Sequence, residues 1–517
     1  MINQSEVAAA ATAEAIVPVE SSPVVQPHKD LKRHTARGAV VSVAAQAATF
    51  VLRISSMVIL ARLLLPKEFG LVGMVTAVTG FLALFKDVGL SMATVQRVSI
   101  TEAQTSTLFW INVALGVGLA VISAALAPVL AAFYAEPRLV WVTVALGTSF
   151  IFNGLGAQHR ALLQRRMRFS TIALIDLASL VVSTGSGIGS AALGLGYWAL
   201  VVMAVSQPGA TLVGVWVAAR WKPGIPQKGC GVGSMLRYGG TVTLNTIVVY
   251  MAYNAEKVLL GRFWGAETLG IYGRAYQLIN LPTENLKSTI GGIAFPALCR
   301  VQDDPVRLRS YFLKGYTLFL SLVMPLTMGS AIFAEDIIRV ALGADWSEAA
   351  PIFRLLAPTM IAFALINPMA WLMLATGRAV RSLNIAFMIA PVVIAAYVLG
   401  LGKGPHGVAI GFSAAMMALI VPVIAWSRHG TNISGRDILK VAMIPFVPVL
   451  AGAAAALAVK GWTDQLHPAL VRLVVANSVL FGVYGVVLLF VMKQYSVYLN
   501  LFRQTGLWPL RFGAAKS

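Results

Sequence analysis

The feature that most constrains this 517-residue chain is its recurring long apolar runs, which begin near residue 38 and end near residue 492. About 18 or more apolar residues in a row make a helix long enough to cross the hydrocarbon core of a bilayer. Lipid offers no partner to an unpaired amide, so such runs must close their backbone hydrogen bonds internally. Charged residues make up only 12% of the chain. Soluble domains carry roughly 25%. The length would accommodate several soluble domains, but the runs instead predict one all-α integral membrane bundle.

Fourteen spans are expected, at about 38–61, 69–95, 107–133, 138–159, 169–191, 196–219, 238–261, 268–298, 311–334, 350–375, 380–400, 405–427, 438–459 and 469–492. The least apolar is 268–298, which contains Arg274, Glu284, Lys287 and two prolines. Residues 1–34 lack a basic segment followed by an apolar one, so they read as a tail rather than a signal peptide. The first span then serves as its own insertion signal.

The net charge of +20 would suggest nucleic acid in a soluble protein. No basic and aromatic RNA- or DNA-binding module accompanies it. The basic residues instead alternate from loop to loop. With both termini in the cytoplasm and residues near a span end assigned to the adjoining side, 26 of the 40 Lys and Arg fall on the cytoplasmic side, 9 on the outer side and 5 deeper within spans. That bias follows the positive-inside rule, and removing one span would invert every later loop. It therefore supports keeping 268–298. Cys230 and Cys299 are far apart and form no CxxC, so they are expected to be free thiols.

The chain also repeats itself. LARLLLPKEFGLVG from Leu60 aligns with LGRFWGAETLGIYG from Leu260 at an offset of 200, pairing Leu60 with Leu260, Arg62 with Arg262, Gly70 with Gly270 and Gly73 with Gly273. Six spans separate the copies, an even number, so both point the same way across the membrane. The expectation is two parallel six-helix lobes related by an axis along the membrane normal, plus two extra C-terminal helices. The domains would be a disordered cytoplasmic tail (1–37), an N-lobe (38–219), a cytoplasmic linker (220–237), a C-lobe (238–427), the last two spans (428–492) and a second cytoplasmic tail (493–517).

The stretch Ile59–Arg97 carries Leu60-Ala61-Arg62-Leu63-Leu64, Pro66, Glu68-Phe69-Gly70, then Asp87-x-Gly89 and Gln96-Arg97. It resembles the opening hairpin of bacterial Wzx-type polysaccharide flippases, of the multidrug, oligosaccharidyl-lipid and polysaccharide exporter superfamily. The resemblance implies a multi-pass inner-membrane protein that moves undecaprenyl-diphosphate-linked oligosaccharide units outward by alternating access. It implies exopolysaccharide or surface-polysaccharide synthesis, with a polysaccharide polymerase as a candidate partner, membrane lipids as surroundings and no cofactor. The alternative is a cation-coupled multidrug exporter of the same superfamily. A membrane enzyme acting on the same lipid usually needs a large outer loop with catalytic residues. The longest one here, 335–349, is short and acidic.

Ionisable groups inside a bilayer are costly and mark candidate sites. Arg53 is nine residues before Arg62, or ~13 Å from the outer boundary at ~1.5 Å per residue. It could meet a diphosphate or pair with a buried carboxylate. Lys86, Asp87, Lys287 and Glu284 are candidates for the same site, although Glu284 and Lys287 are spaced i, i+3 and could neutralise one another. Asn254 could contact sugar hydroxyls. Asp87, Asp176 and Glu284 are candidate coupling carboxylates. Gly185-Ser-Gly-Ile-Gly189 has no preceding strand and reads as a close helix contact or helix end, not a dinucleotide loop. Asp303-Asp304-Pro305 reads as a helix N-cap. The six histidines are not at metal-ligand spacing, and no catalytic Ser/His/Asp set can be assembled.

Overall fold

In a computed structural model of the protein, the described residues are 29–86, 94–95, 100–227, 240–463, 465–466 and 468–495, and among them all regular structure is helical. The helices are α1 (Lys29–Leu63), α2 (Pro66–Leu82), α3 (Glu102–Tyr134), α4 (Leu139–Arg165), α5 (Phe169–Ala192), α6 (Trp198–Ala219), α7 (Gly240–Arg300), α8 (Pro305–Ile332), α9 (Ala334–Ala341), α10 (Ala349–Ala375), α11 (Ala379–Leu401), α12 (Gly404–Arg428), α13 (Gly435–Thr463) and α14 (Ala469–Val486). Twelve of them are long and apolar enough to cross a membrane. The other two expected spans, 238–261 and 268–298, are the arms of the 61-residue α7, which departs from helical geometry at Gly265. Its φ of 83° and ψ of −178° are accessible to glycine at little steric cost. The arms, 240–264 and 266–300, are about 37 and 52 Å long at 1.5 Å per residue, each enough for a ~30 Å core. Their charged residues keep them out of the apolar set.

Local sequence sets the helix ends. Pro66 opens α2 at a position that has no use for an amide proton, and Leu65 N donates to Glu68 at 2.8 Å. A reciprocal Thr101–Gln104 capping box starts α3. Asp304 caps α8, its side chain accepting from Val306 N and Arg307 N, with Pro305 next in sequence, as the sequence suggested. Both ends of α1 extend past the expected 38–61. Of the span expected at 69–95, α2 and a tight helical turn at Ala83–Phe85 account for the part up to residue 85, and residues 87–93 lie outside the described residues.

The chain divides into two compact units, with the boundary after Gly273. In the first, α3 packs on α4, α4 and α5 on α6, and α1 on α5. Small residues bring the backbones close, as is common between membrane helices. A Cβ on Gly116 would lie 2.6 Å from Phe150 O, and one on Gly154 would lie 2.5 Å from Asn112 O. A Cβ on Gly187, the middle glycine of the glycine-rich stretch, would lie 2.9 Å from Met203 Cβ, so at that residue the stretch is a close contact between α5 and α6. After α6 the chain is strapped across α3. Trp110 Nε1 donates to Gly224 O at 2.9 Å, and Gly224 N donates to Ser106 Oγ at 2.9 Å. His159 stacks on Trp216 in the same cluster, with centroids 4.4 Å apart.

The first unit also contains both copies of the repeat. A Cβ on Gly70 would collide with the carbonyl oxygen of Ala266, and one on Gly270 with that of Pro66. The first arm of α7 joins this unit through Tyr250, whose hydroxyl donates to Ala77 O at 3.0 Å. The unit therefore reaches beyond the 38–219 expected for the N-lobe.

In the second unit, α10 packs against α8 and α12, and α11 against α12. Tyr316 Oη donates to Leu365 O at 2.9 Å, and Ser413 Oγ to Leu355 O at 2.6 Å. The last two helices pack on α8, where Tyr484 Oη donates to Ser321 O at 2.7 Å. Residues 335–349 are not an open loop. They form α9 and a turn with fully buried Trp346, and are pinned by Glu335–Arg354 at 3.0 Å and by an Asp336–Arg472 ion pair.

Candidate functional site

A cavity of 780 Å3 lies inside the first unit, lined by α2, α4, α5 and α6. It is within the ~300–1,000 Å3 usual for small-ligand sites. Its walls come from helices that are apolar enough to span a membrane but carry polar side chains on this face. From α2 come Thr76, Thr79 and Lys86, the last at the end of the tight turn. From α4 come Ser149, Asn153, Arg160 and Gln164. Asp176 comes from α5, and Gln207 and Thr211 from α6.

The charged centre is the Arg160–Asp176 pair. Arg160 Nη1 donates to Asp176 Oδ1 at 2.6 Å and Nη2 to Oδ2 at 2.8 Å, a bidentate arrangement that fixes both side chains. The hydroxyls already donate within their own helices: Thr76 to Gly73 O at 2.9 Å, Ser149 to Leu146 O at 2.6 Å, and Thr211 to Gln207 O at 2.9 Å. Each hydroxyl oxygen can still accept a hydrogen bond. The side-chain amides of Gln164 and Gln207 have no protein partner among the described residues. Among the described residues, two cations, Lys86 and Arg160, and one carboxylate, Asp176, make up the charged lining.

The sequence counted Arg160 among the cytoplasmic loop charges, with α4 ending at 159. The helix instead continues to Arg165, so Arg160 is helical and reaches Asp176. The signal was the apolar run Ala161-Leu162-Leu163 beyond it, where all three residues are buried. Gln164, Gln207, Asn153 and Thr211 escaped notice because a neutral polar residue in a span has no distinctive spacing. The neighbouring arginines do lie at the loop. Arg166 Nη1 donates to Ala219 O at 3.1 Å and Arg168 Nη1 to Ala218 O at 3.0 Å. They satisfy the last carbonyls of α6, where a cation is also favoured by the helix dipole.

Of the residues proposed from the sequence, Lys86 and Asp176 line this cavity. Arg53 is on α1, exposed, with no ion pair among the described residues. Asp87 lies outside the described residues, as do Gly89, Gln96, Arg97 and Cys230. Asn254 Nδ2 donates to Tyr250 O at 2.9 Å, and its Oδ1 accepts from Lys257 Nζ at 2.7 Å. In the second unit, Lys287 Nζ is 3.4 Å from Glu284 Oε1, the local pair that their spacing allows.

Comparison with known proteins agrees with the resemblance. The chain is 31% identical over 303 residues to the teichuronic acid biosynthesis protein TuaB of Bacillus subtilis, a match covering 58% of this chain and 63% of that one. It is 26% identical to the lipopolysaccharide biosynthesis protein WzxC of Escherichia coli, over 74% of this chain and 78% of the relative. It is 25% identical to the succinoglycan biosynthesis transport protein ExoT of Rhizobium meliloti, over 61% and 64%. Among solved structures, the lipid II flippase MurJ in an inward closed conformation matches with a TM-score of 0.70 and 13% identity, over 90% of this chain and 99% of that one. An inward-facing multidrug resistance transporter of the MATE family, in the MOP superfamily, matches with a TM-score of 0.60 and 13% identity, over 78% and 99%. At that identity the two structures establish the fold. The polysaccharide biosynthesis protein family matches residues 59–351, more than half of the sequence, and the chain belongs to that family.

Proposed function

We propose that this protein is a flippase that moves a lipid-linked oligosaccharide, carried on undecaprenyl diphosphate, from the cytoplasmic to the outer face of the bacterial inner membrane. The observation that carries this reading is the cavity walled by α2, α4, α5 and α6, which gathers ten polar or charged side chains between helices apolar enough to span a membrane. A sugar headgroup cannot enter hydrocarbon, because stripping water from each hydroxyl without a replacement partner costs several kcal/mol. A chamber lined with hydroxyls and amides supplies those partners while the lipid tail stays in the bilayer. The names of the relatives, concerned with polysaccharide biosynthesis and transport, support the same substrate class. Both termini are in the cytoplasm, the cavity is reached from one side of the membrane at a time, and a polymerase extends the unit outside. The protein makes and breaks no covalent bond.

The test is a deletion strain complemented with the wild-type gene. The lipid-linked glycan should accumulate on the inner face of the deletion strain and clear on complementation. Normal surface polysaccharide in the deletion strain, together with altered sensitivity to cationic drugs, would favour the drug-exporter reading instead.

A further inference from the structure

We infer that the cavity of the first unit is a subsite for the sugar end of the substrate, read by the Arg160–Asp176 pair and the amides of Gln164 and Gln207, and is not the seat of the diphosphate. The inference rests on the flippase reading and assigns one part of the substrate to one set of residues.

The lining chemistry separates three possible occupants. A diphosphate needs cations free to pair with it. Arg160 is held end-on by Asp176, with both contacts under 3 Å, and that carboxylate would repel a phosphate. This leaves Lys86 as the one lining cation without an ion pair among the described residues, a single charge against the two or more of a diphosphate. A metal cation or sodium needs several oxygen ligands and no adjacent positive charge. Here Asp176 is the one carboxylate in the lining among the described residues, and its two oxygens face the guanidinium. A sugar fits better. Each hydroxyl of a vicinal diol both donates and accepts. The locked pair presents remaining N–H groups on one side and carboxylate lone pairs on the other, as a flat edge. Gln164 and Gln207, on different helices, add donors and acceptors with no protein partner among the described residues. Thr76, Ser149 and Thr211 already donate to carbonyls of their own helices and so offer the sugar acceptors. Phe152, from α4, supplies an aromatic surface for the apolar face of a pyranose ring.

The experiment uses the full-length protein in proteoliposomes with two lipids. One is the complete lipid-linked repeat unit extracted from the source organism. The other is undecaprenyl diphosphate bearing only the first sugar. Transport is read as exposure of sugar to a membrane-impermeant oxidant. Wild type should move the complete unit faster than the truncated one. Gln164→Ala and Gln207→Ala should each reduce that preference about three- to tenfold, the loss of roughly one hydrogen bond. The milder Gln207→Asn provides a second reading if the alanine variant fails to fold. No preference in wild type, an unchanged preference in the variants, or equal loss on both lipids from folded variants would overturn the assignment. Failure of wild type to move either lipid would instead overturn the flippase reading itself.

Discussion

Gly70 rests on the carbonyl oxygen of Ala266, and its counterpart in the repeat, Gly270, rests on the carbonyl of Pro66. Both partners shift by the same offset, from 66 to 266 and from 70 to 270. The contact is therefore reciprocal, the pattern that a two-fold axis imposes on a self-complementary surface. The repeated motif is conserved within the chain because each copy packs against the other. Close approach of this kind also allows Cα–H···O contacts.

Gly70→Ala and Gly270→Ala should each destabilise the protein by about 1–3 kcal/mol or more, since the obstacle is backbone and cannot rotate away. Gly273→Ala, with no neighbour within 4 Å of an added Cβ, should be tolerated. Melting of the purified protein in detergent orders the three. Equal melting temperatures would mean that the reciprocal contact does not form.

Asp176→Asn and Arg160→Gln should each impair export and lower the melting temperature. Either change leaves a partner charge without its counter-ion inside the membrane. The double variant should recover part of the stability lost, with a coupling of about 1–3 kcal/mol in the thermodynamic cycle. Strict additivity would argue against the pair.

Arg53→Ala should behave differently. Arg53 makes no ion pair among the described residues, so its removal should leave abundance and melting temperature near wild type. If the guanidinium meets the substrate diphosphate, export should fall. Normal export would remove Arg53 from the substrate path, whereas a large drop in melting temperature would mark it as structural.

Topology can be tested in a background with Cys230 and Cys299 replaced by serine. Gln227→Cys should resist a membrane-impermeant thiol reagent in intact spheroplasts, and Ala344→Cys should react. Both positions are exposed, so access reports the side of the membrane. The opposite labelling would reverse the orientation.

Transport should also respond to voltage. An anionic headgroup moving outward gains ~2.3 kcal/mol per charge per 100 mV of inside-negative potential. A potassium diffusion potential at equal pH, without sodium, should therefore speed transport in proteoliposomes. Transport driven only by a proton or sodium gradient would shift attention to Asp87, Asp176 and Glu284 as coupling groups.

The sequence by itself determined that this is a helical membrane protein, where its spans lie, how its basic residues are distributed and that it contains a repeat. These follow from the length of each apolar run and from local charge, properties of contiguous residues. Even the cap at Asp304–Pro305 and the local pair Glu284–Lys287 were legible, because their partners are two or three residues apart. Only the tertiary structure decided that Arg160 belongs to α4 and meets Asp176, sixteen residues away on α5. It alone brought Gln164 and Gln207 into the lining of one cavity, and set Gly70 against Ala266. The apolar run after Arg160 hints at a longer helix but names no partner for the guanidinium, and a neutral amide in a span leaves no periodic trace. Which of them share a chamber depends on how the helices turn about their own axes when they pack.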